Sequence, residues 1–528
     1  MEAVRKPRLR VGVFADSARQ SRWIVEAFAK AASESCAEIA LVAVRPRPGP
    51  SQVPLLWRAY RRADRARFGS ASGWNASRDL NLLVPRERRL AFGEHTRWRA
   101  CVRDARLDVA FALGDIDDAE LEGVARYGVW RFCFGEDQST FEPLAGMREA
   151  VEGRTVVASG IRIHPGNGQP DRIANPSWAR AFPFSVVRSR ESAFAKASEF
   201  VARALRDLHA GGARWIEGGT ELANASGPRQ FPRVDALLRD ISRLGARVVH
   251  RATERALTLD TWSIAFRFGE QGEFDGSLAG FHRLEPPKGW FWADPFPIER
   301  DGRHYIFFEE QPLGAAKAHI SVVEVNRDGG ASRPVKVLER DYHLSYPFLV
   351  EEDGELYMIP ETGGNRTVEI YRCVAFPFQW KLERVLLEGL FAVDATLHRE
   401  DGRWWMFCNA ASSGEEINDE LHLFSAERLT GEWTPHRRNP IKSDVRSSRP
   451  AGGLFRDGDS LVRPGQICTP LYGSGIALHR VTRLDQEEYR EEEARRIVPR
   501  EAATLGIHTL NRAGDLTVTD AFERHSRF

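Results

Sequence analysis

The sequence predicts a multidomain chain: an α/β domain over residues 1–250, followed by an all-β five-bladed β-propeller over residues 255–528. Three observations carry this. Strand-like apolar runs alternate with helical patterns up to about residue 250, the grammar of a mainly parallel, doubly wound sheet. Beyond it, short aromatic strands and Asp-Gly turns dominate. One hairpin pattern then recurs at roughly 50-residue spacing, which is propeller-blade spacing.

In the first region, Arg8–Asp16 (RLRVGVFAD), Glu38–Pro46, Arg106–Asp115 and Gly128–Glu136 read as strands. SRWIVEAFAKAASES follows the first strand with helical spacing, and DDAELEGVARYG follows the third. Glu191–Gly211 reads as a long amphipathic helix that closes the region.

The repeat of the second region is clearest as ADPFPIERDGRHYIFFEE, SYPFLVEEDGELYMIPET and VDATLHREDGRWWMFCNA, with a worn copy in RPAGGLFRDGDSLVRPGQ. Aligned on their turns, Asp301, Asp353, Asp401 and Asp457 are equivalent, with spacings of 52, 48 and 56 residues. A fifth copy turns at Gly514-Asp515, and Thr261–Phe268 is expected to close the ring against the C-terminal strands. RLDQEEYREEEARRI (Arg483–Ile497) reads as a late helix.

This register brings side chains together. Seven residues before each turn stand Asp294, Tyr346, Asp394 and Pro450; eight after it stand Glu309, Glu361, Asn409 and Gly465. With the hairpin as the inner part of a blade, these positions gather at one end of the channel. Carboxylates at one mouth are what acid/base chemistry needs. Arg449 and Arg463 are candidate phosphate or carboxylate forks. Tyr346, Trp290, Trp292, Trp404 and Trp405 are candidate sugar-stacking rings, although adjacent Trp404 and Trp405 must face opposite sides of a strand.

Composition narrows the classes. Lys and Arg total 75 against 74 Asp and Glu, so no global field favours nucleic acid. The six cysteines show no metal-ligand spacing, so no metal site and no cofactor are expected. No stretch reaches membrane-spanning length and no signal peptide is apparent, so a cytoplasmic protein without a membrane span is expected, leaving peripheral association open.

Two resemblances attach to these residues. The blade pattern resembles the five-bladed propeller of family 43 glycoside hydrolases. More closely, WADPF, HLSYPFL, MIPET, DATL, NPI, RPAGG, RPGQ and GIHTLN, spread over about 285–515, resemble the N-terminal domain of plant glucosamine inositolphosphorylceramide transferases. In those plant proteins the transferase activity is attributed to a separate domain. Residue by residue, the hydrolase resemblance implies a base at Asp294, a carboxylate at Asp394 that tunes the acid and orients the sugar, and a channel histidine at His508. The acid falls on Glu361 by hairpin geometry, or on Glu420 by chain order. The implied function is a glycosyl-transferring enzyme of cell-surface glycan or glycolipid assembly, with a sugar donor and a glycan or glycolipid acceptor as partners. A furanoside hydrolase using the same carboxylates and a non-catalytic sugar-binding scaffold are the alternatives.

Residues 8 to about 210 resemble a formyltransferase-type domain, through RVGVFAD, LDVAFALGD and YGVWRFCFGE. The Asn and His which that family places around the strand equivalent to VWRFCFG are missing, and His164 in IRIHPGNG does not match. The resemblance therefore implies the fold without formyl transfer.

Overall fold

A computed structural model describes residues 6–45, 53–69, 73–93, 98–135, 144–166, 168–222, 232–269, 273–411 and 416–527. The chain divides into two compact units at His250/Arg251.

The first unit is built on an eight-stranded sheet. Leu9–Ala15 lies between Ala37–Val44 and Val109–Leu113, both parallel to it. Arg89–Ala91 extends one side and Val129–Phe134 the other, also parallel. The five parallel strands therefore run third-second-first-fourth-fifth, with the topological switch between Leu9–Ala15 and Val109–Leu113. Val156–His164, Arg172–Arg180 and Thr220–Glu221 continue the sheet antiparallel.

Both faces of the first strand are buried. Val11, Val13 and Ala15 join one core with Trp23, Phe28 and Phe194, whereas Phe14 joins the other with Phe92 and Trp98. Such two-sided burial is why its sequence reads as a continuous apolar run. The closing helix begins earlier than its periodicity indicates, at Val186, where the Ser185 side chain accepts from the Arg188 N–H. Helices Leu55–Phe68 and Val234–Leu257 escaped the sequence reading. The helix expected over DDAELEGVARYG is one 3-10 turn, Asp118–Leu121. Asp117 and Glu120 cap it reciprocally, and Gly123 follows at φ 71°, which a continuing helix cannot accommodate.

The second unit is a propeller of five sheets. Blade one is Trp290–Arg300, Arg303–Pro312, His319–Val325 and Val335–Leu338; blade two is Ser345–Glu352, Glu355–Glu361, Thr367–Ala375 and Gln379–Glu388. Blade three is Ala392–Glu400, Arg403–Ala410 and Glu420–Ala426 with two short outer strands. Blade four is Phe455–Asp457, Ser460–Ile467, Gly475–Leu484 and Tyr489–Ile497. The last sheet closes the ring: Thr258–Phe268 pairs antiparallel along its whole length with the C-terminal strand Leu516–Ser526, from Thr258↔Ser526 to Phe268↔Leu516.

The Asp-Gly turns form as their chemistry requires. Asp301, Asp353 and Asp401 lie at φ 53°, 53° and 50°, and the following glycines at 71°, 81° and 76°. Positive φ at both central residues is the type I′ hairpin turn. Two expectations are corrected. The fourth hairpin closes one residue later than expected, with Asp457↔Ser460 flanking Gly458-Asp459. Gly458, not Asp457, is thus the equivalent of Asp301, and Gln466, not Gly465, falls eight residues after it. Gly465 is instead a close-approach position, because a Cβ there would lie 2.2 Å from the Ser447 carbonyl oxygen. The helix expected over Arg483–Ile497 is absent; Tyr489–Ile497 is the outer strand of blade four, paired with Gly475–Leu484. Pairing and the inward ion pairs of Glu491 outweigh the helical propensity of its glutamates.

Trp404 and Trp405 are both buried, on opposite faces of their strand and in different cores.

Candidate active site

Each of the first three blades has the same irregularity near the start of its first strand. The pairing register slips between Ala293 and Phe296, between Ser345 and Phe348, and between Val393 and Thr396. At these bulges Asp294, Tyr346 and Asp394 stand at φ 51°, 45° and 54°. Left-handed backbone at non-glycine residues is strained, of order 1 kcal/mol each, and here it re-aims three equivalent side chains. Glu309 and Glu361 stand near the ends of the second strands, opposite Ala293 and Ser345, and so at the same end of the channel.

Asp294 is tied from three sides. Its Oδ2 accepts the Tyr346 N–H at 3.2 Å, its own N–H donates to Asp520 Oδ2 at 3.3 Å, and its Oδ1 lies 3.1 Å from His508 Nε2. His508 Nδ1 lies 2.7 Å from Asp520 Oδ2. The ring is thus clasped between two carboxylates, although neither contact is a well-aligned hydrogen bond. Burial alone would lower the His508 pKa; Asp520 and Asp294 override it and hold the ring at about 10. Burial raises Asp294, and the His508 charge only partly offsets it. Burial also opposes ionisation of Asp520, but His508, the His508 and Thr509 N–H groups and the Thr509 hydroxyl hold its pKa low.

Asp394 is fully buried and gripped by Arg449, Nε to Oδ2 at 2.5 Å and Nη2 to Oδ1 at 3.1 Å. Gln466 Nε2 donates to the same Oδ2 at 2.9 Å. Glu361 reaches Arg449 Nη2 at 3.6 Å. Burial, then the Asp394 charge, pushes Glu361 up to about 8. Glu309 is driven well above the usual carboxylate range, by burial first and then by its neighbours Asp294 and Glu361. The mouth therefore holds two glutamates whose protons burial retains, beside Asp394 on an arginine and Asp294 on an imidazolium.

The structure brings Asp294, Glu309, Tyr346, Glu361, Asp394, Arg449 and His508 into this one cluster. It holds Tyr346 as a brace: the phenol bonds to Thr396 Oγ1 at 2.8 Å and accepts the Gly452 N–H at 2.7 Å. Trp292 lies outside, packed among Ile264, Phe266, Ile306 and Phe308 with its indole N–H on Glu310. Arg463 also lies outside, fully buried in blade four on Glu491 at 2.7 and 2.8 Å. Arg449 spends its fork on Asp394 and donates to Asn418 Oδ1 at 2.8 Å, under the ring of Tyr472. Glu420 sits on the third strand of blade three, opposite Ser443.

Sequence reasoning missed Gln466, Asp520, Tyr472 and Thr396. A turn register shifted by one residue would have found Gln466. Asp520 is an acid inside the apolar alternation of LTVTDAF, a signal that was readable.

Asp294, His508 and Asp520 each offer a ligand atom, all within 4.8 Å of one another. In this arrangement both ring nitrogens face carboxylates.

Residues 285–516 match the family model described as glucosamine inositolphosphorylceramide transferase 1, N-terminal. The glucosamine inositolphosphorylceramide transferase 1 of Oryza sativa subsp. japonica is 34% identical over 205 residues, covering 38% of this chain and 27% of that protein. Its Arabidopsis thaliana counterpart is 34% identical over 207 residues, with the same coverage. The match thus spans about a quarter of the length of these curated relatives. Among solved structures, the family 117 glycoside hydrolase Zg3597 of Zobellia galactanivorans is 11% identical with a TM-score of 0.34, covering 50% of this chain and 90% of that one. The family 43 protein BlXynB of Bacillus licheniformis is 17% identical with a TM-score of 0.31, covering 40% and 46%. Among the described residues, no helix is long and apolar enough to cross a membrane.

Proposed function

We propose that this protein is a carbohydrate-active enzyme that transfers a glycosyl group from a sugar donor to a glycan or glycolipid acceptor, with its site at the propeller mouth. The observation that carries the reading is the gathering of Asp294, Glu309, Glu361 and Asp394 at one end of the channel, with burial pushing Glu361 up to about 8. Glycosyl chemistry needs one carboxyl protonated and another ionised within reach of the same sugar. In this reading Asp294 takes the proton of the attacking hydroxyl. A neutral glutamate, Glu361 by hairpin position, protonates the leaving oxygen. Asp394 is too deeply buried to touch a sugar and acts through Glu361 and Arg449. The resemblance of residues 285–516 to a transferase family supports the substrate class.

The first unit is proposed as a formyltransferase-like domain that does not transfer formyl groups. His164 pairs with Val129, at the N-terminal end of the Val129–Phe134 strand, and contacts Asp171 at 2.7 Å. Ligands of open α/β sheets bind at the opposite, carboxyl ends of the strands.

Titration calorimetry with nucleotide sugars and free oligosaccharides tests the function. Binding of a nucleotide sugar with transfer to an acceptor is expected. Turnover of aryl furanosides without nucleotide-sugar binding would replace the reading with hydrolysis, and binding without turnover would replace it with a scaffold.

A further inference from the structure

The two neutral glutamates hold their protons differently. Glu361 faces the Arg449 guanidinium, 3.6 Å from Nη2, and that guanidinium also holds Asp394. Glu309 has another neighbour, His343, whose Nε2 lies 3.4 Å from its Oε1. His343 belongs to the connection between blades one and two, and that connection is pinned on both sides. The Ala318 N–H donates to His343 Nδ1 at 3.2 Å, and the Leu344 N–H donates to the Ala318 carbonyl at 3.3 Å. The adjacent Tyr342 hydroxyl is fixed on Glu369 at 2.8 and 3.0 Å.

A ring nitrogen that accepts from a backbone N–H carries no proton, so the His343 proton resides on Nε2 and faces Glu309. Burial lowers the His343 pKa, Arg449 adds to this and Asp294 opposes it, which keeps the ring neutral. Glu309 in turn faces Asp294, Glu361, His508 and Asp394. The His343 side chain is 32% exposed, against 8% for Glu309. It therefore stands at the rim with Glu309 just below it.

We propose that Glu309 is the proton donor of this site and that His343 is the positioning residue that aims it. This rests on the carbohydrate-enzyme reading above and reassigns the acid within it. With the His343 Nε2–H facing Oε1 at 3.4 Å, the Glu309 proton lies on Oε2, directed away from the histidine. When Oε2–H gives its proton to the leaving oxygen, the new carboxylate keeps the Nε2–H as a charge-assisted donor. Asp294 meanwhile gains the proton of the attacking hydroxyl, and its return to Glu309 restores both groups. His343 neither gains nor loses a proton, because Ala318 occupies its other nitrogen.

The test uses the full chain with isotope-labelled histidine rings, the His343 signals being assigned by their loss in His343→Gln. A neutral Nε2–H tautomer is expected, persisting from mildly acidic to mildly alkaline pH and shifting in Glu309→Gln. An Nδ1–H tautomer, or ring signals indifferent to Glu309→Gln, would overturn the pair. Turnover of a nucleotide-sugar panel supplies the second arm. Glu309→Gln should lower kcat at least about 100-fold and Glu361→Gln less than about 10-fold. His343→Gln, which keeps an N–H donor, should retain the pH profile; His343→Leu should lower kcat and move that profile with little change in KM. A larger loss in Glu361→Gln would return the acid to Glu361. If the wild-type protein turns over no donor, the functional reading fails and the ring signals alone decide the His343–Glu309 pair.

Discussion

Arg449 holds Asp394 by two prongs, Nε on one carboxylate oxygen and Nη2 on the other, with neither group meaningfully exposed. A buried pair of this kind is costly to break from one side. Arg449→Met strands the Asp394 charge and is expected to destabilise the propeller by about 3–5 kcal/mol in chemical denaturation. Arg449→Lys, which offers one contact in place of the fork, should lose part of that.

Stability should fall as pH rises. His508 at about 10 has its pKa raised from 6.5, so its contribution is complete below 6.5 and lost as pH climbs through about 10. Glu361 at about 8, raised from 4.5, acts in the same direction, because the folded state binds more protons than the unfolded one between those values. The Glu361 contribution to melting temperature should therefore decline over 4.5–8, read as the difference between wild type and Glu361→Gln across pH. An unchanged slope in Glu361→Gln would mean that Glu361 is ionised in the native site.

Arg463 looked like a phosphate fork from its sequence context, and its surroundings predict otherwise. It bonds Glu491 through both Nε and Nη2 and donates to the Ser447 carbonyl at 2.9 Å. Arg463→Met should cost about 3–5 kcal/mol in stability, while calorimetric affinity for any ligand of the mouth stays unchanged.

Tyr346→Phe isolates the brace. It keeps the backbone N–H that holds Asp294 but strips the acceptor of the Gly452 N–H, leaving a buried donor unsatisfied. A loss of about 1–3 kcal/mol is expected from denaturant unfolding.

Much of this was legible because propellers repeat. The Asp-Gly turns fixed the register of three blades by chemistry that only a type I′ turn uses, and that register put Asp294, Glu309, Glu361 and Asp394 at one end. The fourth blade misled because Asp457-Gly458-Asp459 offers two acids for one turn, and only pairing decides between them. Bulges were invisible, since nothing in the alternation of these strands marks the positive φ of Asp294, Tyr346 and Asp394. The partners of Arg463 were hidden for the same reason: Glu491 lies in a glutamate-rich run that reads as helix and folds as an outer strand. Trp292 is buried by the closing blade, which a local reading of WADPF does not contain.

The claim that the propeller mouth is a glycosyl-transfer site stands or falls on Asp294, where blades one, two and five meet through Tyr346, His508 and Asp520. The most direct measurement is turnover of nucleotide-sugar donors by Asp294→Asn, at a temperature where calorimetry shows variant and wild type equally folded. The account predicts a kcat loss of about 100-fold or more, with donor binding retained. Full activity in Asp294→Asn would contradict it and remove the mouth as the catalytic site.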